Sequence, residues 1–511
     1  MKRPHGAQPR GLSQQPSSPS FEGTFGRMFR TLPAAHFSND ALEKLAAKMV
    51  APLDDPPTPE DQVDDEENQG IDAGYTYFGQ FIDHDLTFDP ASSLQKINDP
   101  NGLVDYRTPR FDLDNLYGRG PADQPYMYEP DGIHFLLGPE LGGNEKDKNA
   151  RGLPRNNSNP KRAIIGDPRN DENVIVSQLQ SNFLRFHNVI ADHYLARNPN
   201  TTFEHIQKEV RWHYQWVVLH DFLPTIVGHE MVHSILPHLK LGKKIHEVKP
   251  DLRIYSWEKD PFIPVEFSVA AYRFGHSMVR PIYRLNLDLE RKTIFAKDGN
   301  NSLNGFREFP PGWAIDWDLF FNPGNAPSLG KDRTQKSYKI DTSLVNPLGD
   351  LRLDAGAISG GPPSLALRNL LRGREFSLPS GQSVAKLIGE EVIDDSKLRV
   401  GKANEDGENP DQKTGKIANG LLVDISAEFK GNAPLWYYIL AEAQQEFKKN
   451  ETPIRLGPVG GRIVAEVFIG LLLGDQHSFL SQHPDWKPLK EFGGAAFRIK
   501  DLLHLARDGK V

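Results

Sequence analysis

The sequence predicts a mainly α-helical fold with long irregular loops and little β structure. Apolar residues recur at helical spacing in segment after segment, whereas alternating strand patterns are few. Two long regions, 89–162 and 282–360, are rich in Gly, Pro, Asn and Asp. A compact protein keeps so much irregular chain chiefly where it serves an ion or a cofactor. No internal repeat suggests a solenoid or a propeller.

Taken in order, residues 1–22 are dominated by Gly, Gln, Ser and Pro and are expected to be disordered. The rest, 23–511, is read as a single large catalytic domain, although 511 residues would ordinarily divide into two or more. Asn39 is placed to cap a helix through Ala41, Leu42, Leu45, Ala46, Met49 and Val50. The acidic, Pro-containing run from Asp54 to Glu67 reads as a solvated loop. A helix is expected from about Asp72 to Thr87. Asp167 and Pro168 make a good helix start, and Leu179, Phe183, Phe186, His187, Ile190 and Tyr194 continue it at helical spacing. The next helix runs from Phe203 to Leu223 and should stop at Pro224. A third is expected from Val265 to Val279, ahead of Pro281. Further helices are expected at Ser364–Leu371, Ser383–Glu390, from Pro434 to Phe447, and from Ile463 to Leu473 after Gly460 and Gly461. The last is apolar but short, and Glu466 and Gly470 interrupt it, so it reads as buried rather than membrane-spanning.

Composition excludes several classes. The apolar share is 38%, which is enough for a sizeable core. Net charge is −8 with no basic stripe, so a nucleic-acid partner is not expected. The absence of cysteine removes disulfides, Cys zinc sites, a thiol nucleophile and thiolate metal ligation. The N-terminus is positively charged but lacks an apolar signal region. The expectation is a cytoplasmic protein, or one exported by a non-classical route.

Chemistry concentrates in four motifs. Gly79-Gln80-Phe81-Ile82-Asp83-His84-Asp85 puts Gln80, Asp83 and His84 on one helical face and turns Asp85 away from it. A buried helix collects such groups only if each finds a partner. Gly166-Asp167-Pro168-Arg169-Asn170-Asp171-Glu172 carries Arg169 and Glu172 three apart, which by itself is a routine i, i+3 ion pair. Tyr272-Arg273-Phe274-Gly275-His276 sets a histidine beside a glycine on an apolar segment. That suits either a core imidazole or an axial haem ligand with room for a flat group. Thr108-Pro109-Arg110-Phe111-Asp112-Leu113-Asp114 alternates oxygen-bearing residues, as an Asx-rich turn or a hard-cation loop does.

Together with Asn369-Leu370-Leu371-Arg372-Gly373-Arg374-Glu375, and in this order, the motifs resemble those of the animal-type haem peroxidases of the peroxidase–cyclooxygenase superfamily. The resemblance spans roughly residues 70–480, and the N-terminal stretch looks more like that of the bacterial members. It implies haem b, hydrogen peroxide, and a small electron donor such as a halide, thiocyanate or phenol, oxidised through an oxoferryl species. By the resemblance, His84 is the distal base and Arg169 the charge-stabilising distal arginine. Gln80 is the amide that orders water or halide. His276 is the proximal iron ligand, held by Asn369, and Arg273 and Arg372 lie near the haem propionates. Asp83 and Glu172 match carboxylates that form ester bonds to haem in mammalian members. Asn173 stands where one such member has a methionine linked as a sulfonium. Asp85, Thr108, Asp112 and Asp114, with the Arg110 carbonyl, match a calcium site. Cyclooxygenase-like fatty-acid dioxygenases are the alternative. They carry a radical-forming tyrosine three residues before the proximal histidine, where this chain has Arg273.

Overall fold

The computed structural model describes residues 23–87, 104–105, 107–256, 258, 261–296, 301–351, 362–408, 416–447 and 452–509. The segment 1–22, expected to be disordered, lies outside them, as do parts of both long irregular regions. Nine helices of eight residues or more stand among the described residues: α1 (Asn39–Met49), α2 (Gly74–Leu86), α3 (Val174–Arg197), α4 (Phe203–Val217), α5 (Leu365–Glu375), α6 (Gly381–Ile388), α7 (Leu435–Gln444), α8 (Pro458–Gly474) and α9 (Ile499–Asp508). The longest strand among them, Glu67–Asp72, pairs antiparallel with Lys336–Tyr338 and delivers the chain into α2. The fold is mainly α, as the sequence predicts. Among the described residues, no helix is long and apolar enough to cross a membrane.

One apolar core runs from Phe25 to Ala506. Its axis is α3, in which every residue from Val174 to His187 is buried, polar ones included. Those polar residues hold the irregular chain. Gln178 donates to Trp313 O at 2.7 Å and accepts from Ile315 N at 2.9 Å. Arg185 forms a buried ion pair with Asp147 at 2.7 Å. Burying such groups is tolerable only because each is paired. Helix α8 is apolar apart from Arg462 and Glu466, which pair with each other at 3.2 Å, and is buried through most of its length, as expected of the Ile463–Leu473 block.

Helix α2 is wedged against α3 and α4 by aromatic rings. Phe81 stacks on Phe183 at 4.4 Å between centroids, and the Phe78 and Phe81 rings both meet Tyr214 edge-on. Its start is equally fixed. Ala73 N donates to Gln335 O and Gly74 N to Phe320 O, both at 2.9 Å, in place of a side-chain cap. A Cβ at Gly74 would lie 2.4 Å from the Phe321 ring, so the close approach requires glycine.

Several boundaries differ from expectation. Ser38, not Asn39, caps α1 through its side chain. Asp167 caps only a 3₁₀ turn, Pro168–Asp171; Asn173 then caps α3 by accepting from Ile175 N and Val176 N. Pro224 does not end its helix. A π turn, Val218–Phe222, widens the ladder just before it, and helix continues over Leu223–Val227 to Gly228 at φ 83°. The expected helix at 265–279 is a π turn, Glu266–Ala270, followed by 3₁₀ turns, Ala271–His276. Gly460 and Gly461 lie inside α8 rather than ahead of it.

Replacing Phe183 with Ala should remove the stack that seats α2. It should lower stability by about 3–5 kcal/mol, the usual range for a buried aromatic. Denaturant unfolding checks this; an unchanged midpoint would contradict the packing role.

Candidate active site

The side chains on α2 divide as the spacing predicts. Gln80 and Asp83 are half-buried, while His84 and Asp85 are buried, Asp85 completely. His84 Nδ1 lies 2.6 Å from Asn170 Oδ1, and Asn170 Nδ2 donates to Gln180 Oε1 at 2.8 Å. Burial first, and the Arg169 guanidinium second, lower the His84 pKa to about 4. The imidazole is therefore neutral near pH 7.

Arg169 reaches α2 from the 3₁₀ turn. Its Nη2 donates to the carbonyls of His84, at 3.1 Å, and of Thr87, and pairs with Asp167 at 2.8 Å. Carbonyls at a helix C-terminus lack intrahelical partners, so a guanidinium there is well placed. Asp167 is shared with Arg107, 2.5 Å away. Burial alone would raise its carboxyl, but Arg169 and Arg107 hold it well below the usual carboxylate range. Nearby, Gln80 Nε2 donates to Glu172 Oε1, and Gln80 Oε1 accepts from Asn173 Nδ2 at 3.1 Å. Arg169 and Glu172 are thus not an ion pair of one helix face. Each meets a different part of α2, Arg169 the carbonyls of His84 and Thr87 and Glu172 the Gln80 amide. Asp83 accepts from Thr87 Oγ1 at 3.2 Å.

The facing wall is the irregular segment Ala271–His276. Tyr272 OH donates across to Gly79 O at 3.1 Å. Arg273 Nε donates to Ser268 O at 3.0 Å, and the Arg273 carbonyl accepts from Trp436 Nε1 at 3.2 Å. His276 Nδ1 lies 2.8 Å from the Asn369 side-chain amide on α5. Burial, then Arg273, lowers the His276 pKa to about 3. Arg273 and His276 are enclosed by protein yet keep accessible surface, and a Cβ on Gly275 would meet nothing within 4 Å. This wall therefore borders an internal space. Asp83 and Arg169 on the α2 side act electrostatically on Arg273 across it. A planar group with a metal ligated by His276 fits these residues. Arg372, expected beside Arg273, lies on α5 with its guanidinium 5.6 Å above the Phe376 ring.

Behind α2, ligand oxygens of Asp85, Asp112 and Asp114 lie within 4.8 Å of one another. Both Asp85 oxygens are buried with no hydrogen-bond partner. Burial and the other two carboxylates push the Asp85 carboxyl well above its usual range. Such a buried, unpartnered carboxyl among like charges is unfavourable unless a cation joins it. Thr108 Oγ1 donates to Asp112 at 2.6 Å, and Arg110 N to Thr108 O at 2.8 Å, so the whole predicted loop is drawn in. Arg107 also contacts Asp114 at 3.3 Å, linking this cluster to Asp167 and thence to Arg169. Sequence reasoning did not single out Arg107, Asn170 or Gln180. Asp167 stood out only as a cap. None of the four has a spacing signal; the contacts Asn170–His84, Arg107–Asp167 and Asn170–Gln180 span 86, 60 and 10 residues.

The family model described as animal haem peroxidase matches residues 95–398. Thyroid peroxidase of Mus musculus is 29% identical over 334 residues, covering 64% of this chain and 32% of its own length. The chain spans a third or less of the curated relatives it matches. Peroxidase A from Dictyostelium discoideum superposes with a TM-score of 0.61 at 16% identity, over 92% of this chain and 91% of that one. A fatty acid alpha-dioxygenase from Arabidopsis thaliana gives 0.53 at 13%, over 96% and 77%. At such identities the superpositions establish the fold alone.

The His84 pKa predicts a pH dependence of stability. Its folded value, about 4, lies below the ordinary imidazole value of 6.5. Between these values the unfolded chain binds the proton and the folded chain does not. The contribution is full above about 6.5 and is lost as pH falls toward 4. The stability difference between the porphyrin-free chain and its His84→Gln variant should therefore shrink on going from pH 7 to 4.5. Urea midpoints measure it; a constant difference would contradict the buried neutral imidazole.

Proposed function

Since the chain belongs to the animal haem peroxidase family, we propose that it reduces hydrogen peroxide and oxidises a small donor such as a halide, thiocyanate or a phenol. The observation that carries this reading is the pair of imidazoles on facing walls. His276 borders an internal space, gripped by Asn369, and His84 lies opposite, backed by Arg169. Haem b bound there supplies an iron centre that passes oxidising equivalents from peroxide to the donor. Peroxide takes up two electrons and two protons in becoming two molecules of water, and the donor loses two electrons in one or two steps.

The chain's residues divide the remaining work. His276 would offer Nε2 to iron, which requires its proton on Nδ1 and the Asn369 amide reversed from the orientation seen here, where Nδ2 faces the ring. A neutral amide leaves this ligand less imidazolate-like than an aspartate would. Arg273 and Arg372 supply positive charge for propionates. His84, neutral near pH 7, accepts a proton from peroxide and returns it to the departing oxygen. Arg169 stabilises the charge that develops as the O–O bond breaks. Gln80, held between Glu172 and Asn173, orders water or halide. Asp83 and Glu172 are half-buried carboxylates on the distal side, suited to ester bonds with haem. Asn173 is occupied as the α3 cap and has no sulfur to form a third link, which favours easily oxidised donors over chloride. Asp85, Thr108, Asp112 and Asp114, with the Arg110 carbonyl, would hold calcium and so set the angle of α2 and His84. Fatty-acid dioxygenation is the alternative in this superfamily. Arg273 occupies the position where it needs a radical-forming tyrosine, and Tyr272 is tied to Gly79.

His276→Ala should abolish both Soret absorption and peroxide turnover. Turnover at unchanged haem content would remove the assignment. For the cation, chelation should reduce peroxide turnover before it reduces the far-ultraviolet helical signal. Loss of the two in parallel would argue that the cation serves the fold alone.

A further inference from the structure

The Asn170 side chain sits wholly buried on the 3₁₀ turn, and its backbone N donates to Asp167 O at 3.1 Å. A carboxamide has a donating end and an accepting end. Here the donating end is committed: Nδ2 gives a hydrogen to Gln180 Oε1 at 2.8 Å. Only the oxygen is left for His84, and it lies 2.6 Å from Nδ1. That separation is short even for N–H···O. With an oxygen opposite, the imidazole must donate. Gln180 is itself fully buried on α3, with no hydrogen-bond partner for its Nε2 among the described residues, so the bond from Asn170 Nδ2 to its Oε1 is what sets the two amides relative to each other.

We propose that Asn170, oriented by Gln180, is a positioning residue that holds the His84 proton on Nδ1 and leaves Nε2 as the unprotonated, proton-accepting nitrogen. A neutral imidazole has one donating and one accepting nitrogen, and which is which follows from the partner of the first. Without the Asn170 oxygen, both tautomers become accessible, and the one with hydrogen on Nε2 cannot take a proton there. At His276 the structure turns the other end of an asparagine to the ring, with Asn369 Nδ2 2.8 Å from Nδ1, so the oxygen contact is particular to His84. The catalytic consequence rests on the peroxidase reading, in which His84 moves the proton. The tautomer itself does not.

The test is nitrogen-15 NMR of the full-length chain labelled at histidine. Spectra are taken as isolated and after loading with a diamagnetic zinc porphyrin, with His84 assigned by its loss in His84→Gln. The expected wild-type spectrum shows hydrogen on Nδ1 and a bare Nε2. Asn170→Asp, which can only accept, should keep that pattern, and Asn170→Ala should lose it. Peroxide turnover of the haem-loaded Asn170→Ala chain should fall roughly ten- to a hundredfold, as when the partner orienting a functional imidazole is removed, and Asn170→Asp should recover most of it. Hydrogen on Nε2 in the wild type, or an unchanged tautomer in Asn170→Ala, would overturn the proposal. Should Asn170→Ala fail to fold, Gln180→Leu takes its place. It frees the amide to reverse, so a mixture of tautomers is expected, and a single unchanged one counts against orientation by Gln180. Failure to bind any porphyrin would instead overturn the peroxidase reading and leave the tautomer result standing.

Discussion

A buried carboxylate shared by two guanidinium groups holds the distal side of the site together. Asp167 lies between Arg107 and Arg169 and pairs with both. Breaking such a pair commonly costs about 3–5 kcal/mol, because it strands a charge away from water. From Asp167, Arg169 extends to the C-terminal carbonyls of α2, and Arg107 extends to the acidic cluster behind the same helix. The two sites on either side of α2 are thus joined by charge as well as by the helix. Asp114, Arg107, Asp167 and Arg169 form one continuous run of charge contacts.

The irregular chain follows the same logic. Residues 107–166 contain few helices, yet they are stitched to the helical frame at intervals. Asn115 donates to Phe81 O, Gln215 to Phe111 O and Arg211 to Asp112 O. These bonds fix backbone that has no repetitive ladder of its own. The loop holds its acidic side chains behind α2 because α2 and α4 supply the missing partners.

Much of this was legible in the sequence, and the limits of legibility have physical causes. The α2 face pattern was readable because helical geometry is local: Asp85 had to point away from Gln80 and His84, and it does. The capping signal at Asp167 was also real, but a cap states where a turn begins and not how long it lasts. Asn173, a second cap six residues on, opens the true helix. Pro224 was read as a stop because an α-helix cannot accommodate it mid-run, whereas a π turn can. The proximal segment looked like an ordinary helix because its apolar periodicity survives local widening. Asn170 and Gln180 gave no signal at all. A buried polar network is defined by partners brought together in three dimensions, and an asparagine within Arg169-Asn170-Asp171 looks like surface.

The hydrogen bond from Tyr272 to Gly79 bears on how the site is filled. It ties the wall that carries His276 directly to the helix that carries His84, through one rigid ring. The Tyr272 ring is braced by Phe222, Phe267 and Phe468 and has little freedom to yield. The gap between the walls is therefore set by the chain before anything occupies it. A guest that binds beside this bond meets segments already tied together, with less ordering of the protein to oppose it.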